Sequence, residues 1–272
     1  MATVRPAAVA GAFYPADANA LRAVISEHLE TARESFAPRD PWPKALIVPH
    51  AGYMYSGPVA ARAFVELEGA RETVTRVLLV GPSHHVRFDG LALPSNTAFE
   101  TPLGTLPIDE TARRQALQLP FVVVDDDPHH WEHSLEVQLP FLQIVLGTPS
   151  ILPVAVGRSS SARVCEFLDS LWGGDETIIV VSSDLSHYHD YQTAKRMDAA
   201  TASAIESLAP GRIGVDDACG RIAVQGLLEA ARERGLQPRT LDLRSSGDTA
   251  GARDEVVGYG AWELTVARNG SP

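Results

Sequence analysis

The sequence contains few of the features that mark several common classes of protein. It has two cysteines in 272 residues, and Cys165 and Cys219 lie far apart, so no disulfide framework is implied. We interpret both as small core residues. No apolar run approaches the ~20 residues needed to span a bilayer, and the first residues, MATVRPAAVAGAFYP, lack the continuous apolar stretch of a signal peptide. We therefore expect a cytoplasmic protein that has no membrane partner.

The sequence also has fewer basic than acidic residues. The chain has 34 acidic and 23 basic residues, a net charge of −11 and no basic patch, which argues against nucleic acid as a partner. The glycine-rich phosphate-binding motifs, the GxSxG nucleophile elbow and the CxxC pair are all absent. A serine nucleophile at Ser182 or Ser183, activated by His187, is therefore disfavoured, because neither serine has flanking glycines.

Short apolar runs alternate with amphipathic stretches along the whole chain. The runs are rich in Val, Ile and Leu without strict alternation, which is typical of strands covered on both faces; they span residues 44–49, 76–81, 121–124, 151–157, 177–183 and 256–267. Helical spacing of apolar residues occurs over 18–36, 57–68, 131–146, 161–172, 190–208 and 218–234. This alternation predicts one α/β domain over residues 1–272, with a central, mostly parallel sheet flanked by helices on both faces.

Eight of the nine histidines occur at four places: His50, then His84 and His85, then His129, His130 and His133, then His187 and His189. Three of these places share one pattern, in which an apolar strand is followed by a Pro or Ser break and then by histidine. The carboxyl ends of parallel strands open on one edge of a sheet, where ligands bind. We therefore expect His50, His84 and His187 to converge. One histidine after a strand is usually a hydrogen-bonded loop residue, but three such coincidences favour a shared metal site, because neutral imidazole is the commonest metal ligand.

A third ligand could come from several carboxylates, namely Asp184, Glu132, Glu136, Asp248 and Glu255. Asp184 lies beside His187 and is placed to orient that ring instead. Glu132 and Glu136 have the spacing of one helical face, which is usually a solvent face, although histidines flank this pair. Asp248 follows Gly247, a common arrangement in turns. The residues alone leave this choice open.

Several long motifs resemble those of the MEMO family, also called protein B of the AmmeMemoRadiSam system. They run in family order across almost the whole chain: AVAGAFYPAD (8–17), VPHAGYMYSG (48–57), VGPSHH (80–85), TPLGTLPID (101–109), EHSLEVQLPFL (132–142), VVSSDLSH (180–187), SSGD (245–248) and VVGYGAWELT (256–265). The family in turn resembles the class III extradiol dioxygenases in fold. The family name also implies a functional association with AMMECR-type and radical SAM proteins.

The resemblance implies roles for particular residues. His50 and His84 match the two metal-binding histidines of the family, and Asp184 and His187 match its nearby acid and histidine. Asp248 falls where the animal members have a cysteine, in the pattern SSQC. We therefore expect His50, His84 and Asp248 to bind the metal. Two histidines and one carboxylate form the ligand set of non-haem Fe(II) oxygenases, so Fe(II) is the expected cofactor, and Mn(II), Zn(II) and copper are the alternatives.

These observations lead to three hypotheses of function. In the first, the protein is an Fe(II)-dependent oxidoreductase of extradiol-dioxygenase type acting on an unknown small-molecule substrate, in which His187 moves a proton and Asp184 orients its ring. We expect the side chains around the metal ligands and in the pocket wall to be His85, Tyr53, His133 and Glu136. In the second, the crevice binds a peptide or metabolite without chemistry. In the third, Zn(II) or Mn(II) activates water for hydrolysis.

Overall fold

The computed structural model describes residues 3–34 and 42–266. Within these residues the strands are β1 (Val4–Arg5), β2 (Ala45–Val48), β3 (Arg76–Pro82), β4 (Leu91–Leu93), β5 (Ala98–Thr101), β6 (Gly104–Pro107), β7 (Val122–Val124), β8 (Ser150–Val156), β9 (Thr177–Ser182), β10 (His187–His189), β11 (Leu236–Ser245) and β12 (Val256–Val266). All residues of β2 and β9 are buried, which agrees with their unbroken apolar sequences.

The helices in the described part of the chain are α1 (Ala18–Glu34), α2 (Tyr53–Phe64), α3 (Glu110–Ala116), α4 (Asp127–His130), α5 (Leu139–Leu146), α6 (Ser161–Ser170), α7 (Tyr191–Glu206) and α8 (Arg221–Glu233). Two pairs cover the sheet: α1 and α2 pack together beside β2 and β12, and α6 and α8 pack together beside β3 and β9. None of the described helices is long and apolar enough to cross a membrane.

The main sheet has the order β10-β12-β2-β9-β3-β8-β4-β7, and β11 also pairs with β12. Strands β2, β9, β3 and β8 are mutually parallel, and these four form the centre of the sheet. The predicted α/β class and central parallel sheet are therefore confirmed. The margins differ from the prediction, because β12 runs antiparallel to β2 and β4 runs antiparallel to β8. Strands β1, β5 and β6 form a separate small sheet, whose short strands carry no long apolar run.

The predicted helix over 131–146 is the largest local error. Helix α5 begins only at Leu139, and residues 131–135 are irregular. The carboxylate of Glu132 accepts the backbone N–H of Ser134, and such local bonds compete with helix formation. Pro140 then lies in the first turn of α5, where proline is favoured. Residues 35–36 of the predicted first helix and residue 267 of the predicted last strand lie outside the described residues.

A strand was missed over β11, whose sequence LQPRTLDLRS has no continuous apolar run and contains a proline. Strand β10 pairs with β12, with an irregular register between His187 and His189. Tyr188, which lies between these two histidines, adopts a left-handed φ of 59° and has an exposed side chain. This is the geometry of a β-bulge, which ends regular pairing at this margin.

Candidate metal centre

Two of the strand-end histidines meet at the carboxyl edge of the parallel strands. His50 follows β2 after one proline, and His84 follows β3 after one serine. Because β2 and β3 both pair in parallel with β9, their carboxyl ends lie at the same edge of the sheet, on either side of β9. The centroids of the two imidazole rings are 5.2 Å apart, and the rings are nearly perpendicular.

His133 completes the group. One nitrogen from each of His50, His84 and His133 lies within 4.8 Å of the other two, which is a spacing that allows one ion to be shared. The His133 ring stacks on that of His84, with centroids 4.7 Å apart. His133 comes from the irregular segment before α5 and not from a strand end. Its sequence pattern therefore predicted only a place in the pocket wall.

Asp248, the expected third ligand, is not in this group. One carboxylate oxygen accepts the hydroxyl of Tyr191 at 2.6 Å, and the other accepts the backbone N–H of Ser245 at 2.9 Å. Ser245 and Asp248 form a capping box around the short 3-10 turn Ser246–Asp248. The structure thus places His133, and not Asp248, beside the two strand-end histidines.

The tautomer of His50 follows from the hydroxyl of Ser182. That hydroxyl has one hydrogen, which it donates to the carbonyl of Ser134 at 2.6 Å, and it accepts an N–H from Gln138 at 2.9 Å. Nδ1 of His50 lies 2.9 Å from the same oxygen and must therefore be the protonated nitrogen that donates to it. Nε2 of His50 is left with its lone pair, which is the form that binds a metal.

Glu132 orients His84 in a similar way. Its carboxylate accepts both Nδ1 of His84, at 2.9 Å, and the backbone N–H of His84, at 2.6 Å. Nδ1 of His133 lies 3.5 Å from the same carboxylate. Burial opposes ionisation, but the bonds from His84 outweigh it and hold the pKa of Glu132 at about 2. A carboxylate at Nδ1 directs the opposite nitrogen, Nε2, outward, as in many histidine metal sites.

Burial keeps two of the three imidazoles neutral. His50 is almost completely enclosed, and desolvation, with a smaller effect of His84, lowers its pKa to about 3. Desolvation and the neighbouring His50 lower the pKa of His133 to about 4. Neutral imidazole is the form that metals require, so these residues need lose no proton to bind an ion at neutral pH.

Asp184 and His187 lie at the same edge but do not form the expected pair. One carboxylate oxygen of Asp184 accepts the backbone N–H of His50 at 2.7 Å, and burial raises the pKa of this carboxyl. Nδ1 of His187 donates instead to the carbonyl of Leu185 at 2.8 Å. The carbonyl, and not Asp184, therefore fixes the His187 ring, and Nε2 of His187 remains available.

Of the four residues expected around the site, His85 and His133 lie at a pocket, whereas Tyr53 and Glu136 are buried in the protein interior. His85 is exposed beside His133 and lines, with Phe13 and Trp131, a mainly apolar cavity of about 410 Å³. Tyr53 lies in the core, where its hydroxyl donates to the carbonyl of Val137.

Glu136 is also removed from the pocket wall. It is completely buried and accepts hydrogen bonds from the guanidinium of Arg5 at 2.5 Å and from the hydroxyl of Tyr14 at 2.6 Å. Neither Glu136 nor Tyr53 can contact a substrate from these buried positions.

Cys219 is a neighbour of His50 that the sequence did not predict. Its Sγ lies 3.2 Å from Nε2 of His50, so it is not merely a small core residue. Gly220 makes this approach possible, because a Cβ there would lie 2.7 Å from the carbonyl oxygen of Ser182. Burial and the Asp184 carboxylate raise the pKa of Cys219 to about 12, so the side chain is a neutral thiol. The Cys-Gly pair before an apolar helix was the available signal.

Fold and site together define an α/β protein with a candidate histidine metal centre at the carboxyl edge of its sheet. The fold is similar to the crystal structure of the uncharacterized protein JW3007 from Escherichia coli K12, with a TM-score of 0.54, 13% identity and coverage of 79% of this chain and 98% of that one. The family model of Memo-like proteins matches residues 5–263, and the chain belongs to that family.

Two relatives are close in length to this chain. A MEMO1 family protein of Aeropyrum pernix is 37% identical over 230 residues, which cover 80% of this chain and 82% of the relative. A MEMO1 family protein of Aquifex aeolicus is 34% identical over 268 residues, which cover 94% and 97% of the two chains. The names of these relatives state the family and no reaction.

Proposed function

We propose that the protein is a metal-dependent oxidoreductase of the extradiol-dioxygenase type, acting on a small-molecule substrate, with Fe(II) as its metal. The observation that carries this proposal is the convergence of His50, His84 and His133, with donor nitrogens within 4.8 Å of one another. Imidazole ligands suit iron, zinc, copper and nickel. The resemblance of the family to the extradiol dioxygenases favours iron among these metals.

The three histidines fit a resident ion. Nδ1 of His50 donates to Ser182 and Nδ1 of His84 bonds Glu132, so both rings are fixed before an ion binds. When bound, Fe(II) would supply a route for electrons between an oxygen-bearing substrate and O₂. The role of the chain is to hold the ligands rigidly and to leave part of the coordination sphere open.

Proton transfer falls to His187 in this proposal. Its Nδ1 is committed to the carbonyl of Leu185, so Nε2 is the atom that accepts or returns a proton. The charge of His187 affects the pKa of both His50 and Asp184, which means that it lies within electrostatic range of the site. His187 is half-buried, so it is in partial contact with solvent.

The cavity beside His133 supports an apolar substrate group. Phe13 and Trp131 line it, and the Phe13 ring packs 4.6 Å from that of His133. Flat apolar walls next to the metal ligands suit an aromatic ring and exclude water around it. This is the part of the site that would select the substrate.

One observation favours a second function, metal-dependent hydrolysis. The group contains three histidines and no carboxylate, which is the ligand set of zinc sites that keep one position open for water. In that case His187 would accept a proton from the attacking water. The two functions differ in whether O₂ is consumed.

Anaerobic expression, reconstitution with Fe(II) and metal analysis test the proposal. We expect one iron per chain, its loss in a His50→Ala/His84→Ala double variant and its retention in the matched control His130→Ala, whose exposed ring lies outside the group. Oxygen uptake with a panel of catechols should then require iron. Full metal content in the double variant would contradict the metal site. Turnover with zinc under strict anaerobiosis would support hydrolysis instead.

A further inference from the structure

Asp198 is a buried acid beside the segment that carries His187. It lies in α7, it is 3% exposed, and one of its carboxylate oxygens accepts the backbone N–H of Ser186 at 3.1 Å. In the described part of the chain it forms no ion pair with an arginine or a lysine. Buried carboxylates without such a partner are rare, and buried ionisable groups of this kind cluster at functional sites. Asp198 is therefore a candidate for a functional role beside His187.

The backbone next to Asp198 leaves room for the carboxylate. Gly258 in β12 lies against it, and a Cβ on this residue would be 2.1 Å from one carboxylate oxygen. The N–H of Gly258 donates to the carbonyl of Ser186, and its carbonyl accepts the N–H of Leu185, at 2.8 Å each. Because glycine has no Cβ, the strand and the carboxylate can approach this closely. Asp198 and Gly258 together hold residues 185 and 186 in place.

The acid that the sequence predicted beside His187 has a different partner. Asp184 accepts the backbone N–H of His50 and does not hold the His187 ring. Burial, and to a smaller extent Asp217, raise the pKa of Asp198 to about 6, and the charge of protonated His187 opposes this rise. Coupling between two titrating groups is reciprocal, so the ionised carboxylate of Asp198 stabilises the protonated His187 ring by the same free energy.

The polar and charged groups that face Asp198 come from separate segments. Ser186 precedes β10, His187 begins β10, and Asp217 lies in the loop before α8. Strand β12 contributes the backbone of Gly258. Among these groups His187 alone can carry a positive charge. A proton on His187 is therefore the event in this cluster that the negative charge of Asp198 favours.

We propose that Asp198 is a positioning residue for proton transfer, which fixes the segment that carries His187 and stabilises the ring of His187 when Nε2 takes up a proton. In that step the O–H bond of a substrate hydroxyl breaks, the electron pair stays on the substrate oxygen and the proton forms the N–H bond, with no change of oxidation state. Asp198 acts through His187 and does not contact the substrate. This inference rests on the proposed function, because that function gives His187 its role.

NMR titration of aspartate carboxyl carbons in the full chain measures the charge coupling without a substrate. The signal of Asp198 is the one that is missing in Asp198→Asn. In His187→Gln we expect the pKa of Asp198 to rise by about 0.3–1 unit, because the neutral amide no longer stabilises the carboxylate. His130→Gln, whose exposed ring lies outside the site, should leave it unchanged. A shift below about 0.1 unit in His187→Gln would overturn the inference.

Amide hydrogen exchange tests whether Asp198 also holds the segment. Asp198→Asn keeps an oxygen that can accept the N–H of Ser186, whereas Asp198→Ala removes it. Exchange at Ser186 should stay slow in Asp198→Asn and accelerate at least about 10-fold in Asp198→Ala. Asp175→Asn, at an exposed position before the amino end of β9, is the control and should resemble the wild type. Equal rates in the wild type and Asp198→Ala would contradict the positioning role.

Turnover of catechols by the iron-loaded enzyme connects the pair to the reaction. Asp198→Asn should lower kcat roughly 10-fold and leave KM within about 2-fold, because the carboxylate acts on the protonated ring and not on substrate binding. An unchanged kcat in Asp198→Asn would contradict its role in proton transfer. If the titration shows the coupling but the wild type turns over no catechol, the proposed function is wrong and the charge coupling of Asp198 and His187 is confirmed.

Discussion

Glu132 and Glu136 are two buried glutamates, four residues apart, that serve different regions of the molecule. Both are at most 1% exposed. Glu132 turns toward the metal centre and accepts hydrogen bonds from His84, whereas Glu136 turns toward the N-terminal segment and accepts from Arg5 and Tyr14. In a continuous helix this spacing would direct both side chains to one face. The irregular backbone before α5 separates them.

The two regions are nevertheless joined through Arg5. Besides its ion pair with Glu136, its guanidinium donates to the carbonyl of His129 at 2.6 Å and to that of Glu132 at 2.8 Å. The N-terminal segment therefore clamps the backbone that carries Glu132 and His133. Glu132 thus orients the ring of His84 directly, whereas Glu136 acts through Arg5 to fix the segment that carries Glu132 and His133.

The largest expected effect is on stability, from Glu136→Ala. Without Glu136 the buried guanidinium of Arg5 has lost its countercharge. The free energy of unfolding should therefore fall by about 3–5 kcal/mol. Urea denaturation would measure it, with Glu72→Ala, an exposed position, as a control that changes stability by less than about 0.5 kcal/mol. A loss below about 1 kcal/mol for Glu136→Ala would contradict the anchoring role.

The next largest effect is a pH dependence of the free energy of unfolding, caused by His129, whose carbonyl accepts a hydrogen bond from Arg5. Burial lowers its pKa from 6.5 to about 4, so the folded state resists a proton that the unfolded chain accepts. Its neutral form should therefore contribute fully above pH 6.5, and about 3 kcal/mol should be lost as the pH falls from 6.5 to 4.

The variant His129→Gln isolates this contribution, because an amide nitrogen can still donate to the carbonyl of Ala92 but does not titrate. Unfolding free energies at a series of pH values should show a shallower acid dependence for this variant than for the wild type. Exposed His130→Gln is the control. Equal slopes for wild type and His129→Gln would show that the buried ring does not carry the effect.

A smaller effect is expected from Glu132→Gln, on metal binding. The amide loses the negative charge that orients Nδ1 of His84, and loss of such an outer partner typically reduces metal affinity about 10–100-fold. Competition with a chelator would give the affinity, and Glu72→Gln supplies the control. If Glu132→Gln binds as tightly as the wild type, the carboxylate does not orient the site.

The smallest effect is expected from Asp248→Asn. Like Glu136, Asp248 accepts hydrogen bonds from other residues of the chain, here the hydroxyl of Tyr191 and the backbone N–H of Ser245. Metal affinity should therefore change by less than about 3-fold. The same chelator competition applies, with His133→Ala as the contrasting variant that should bind far more weakly. A large loss of affinity in Asp248→Asn would restore the carboxylate as a ligand.

The sequence predicted those parts of the site that depend on sheet topology. His50 and His84 could be placed together because apolar runs identify parallel strands and parallel strands share a carboxyl edge. His133 and Cys219 could not be placed in the same way, because they come from irregular segments whose positions depend on packing by Arg5 and on the glycine contact at Gly220.

Asp248 shows how a local interaction can compete with a predicted metal ligand. A late carboxylate suited the expected Fe(II) ligand set, but Ser245 and Asp248 also have the spacing of a capping box, and this local interaction occupies the carboxylate. The fold was predicted better at its centre than at its margins, since the antiparallel strands β4 and β11 are short or polar and carry weak signals.

The margins of the main sheet have a consequence for the behaviour of the protein in concentrated solution. Strand β7 at one margin has three residues, whereas β11 beside β12 at the other has ten but contains Pro238 and the charged side chains of Arg239, Asp242 and Arg244. Exposed strand edges are the usual templates on which further chains add and aggregate. The edge at β7 is too short to pair with an incoming strand, and the proline and charges of β11 make the long edge a poor template, which disfavours edge-to-edge association of folded molecules.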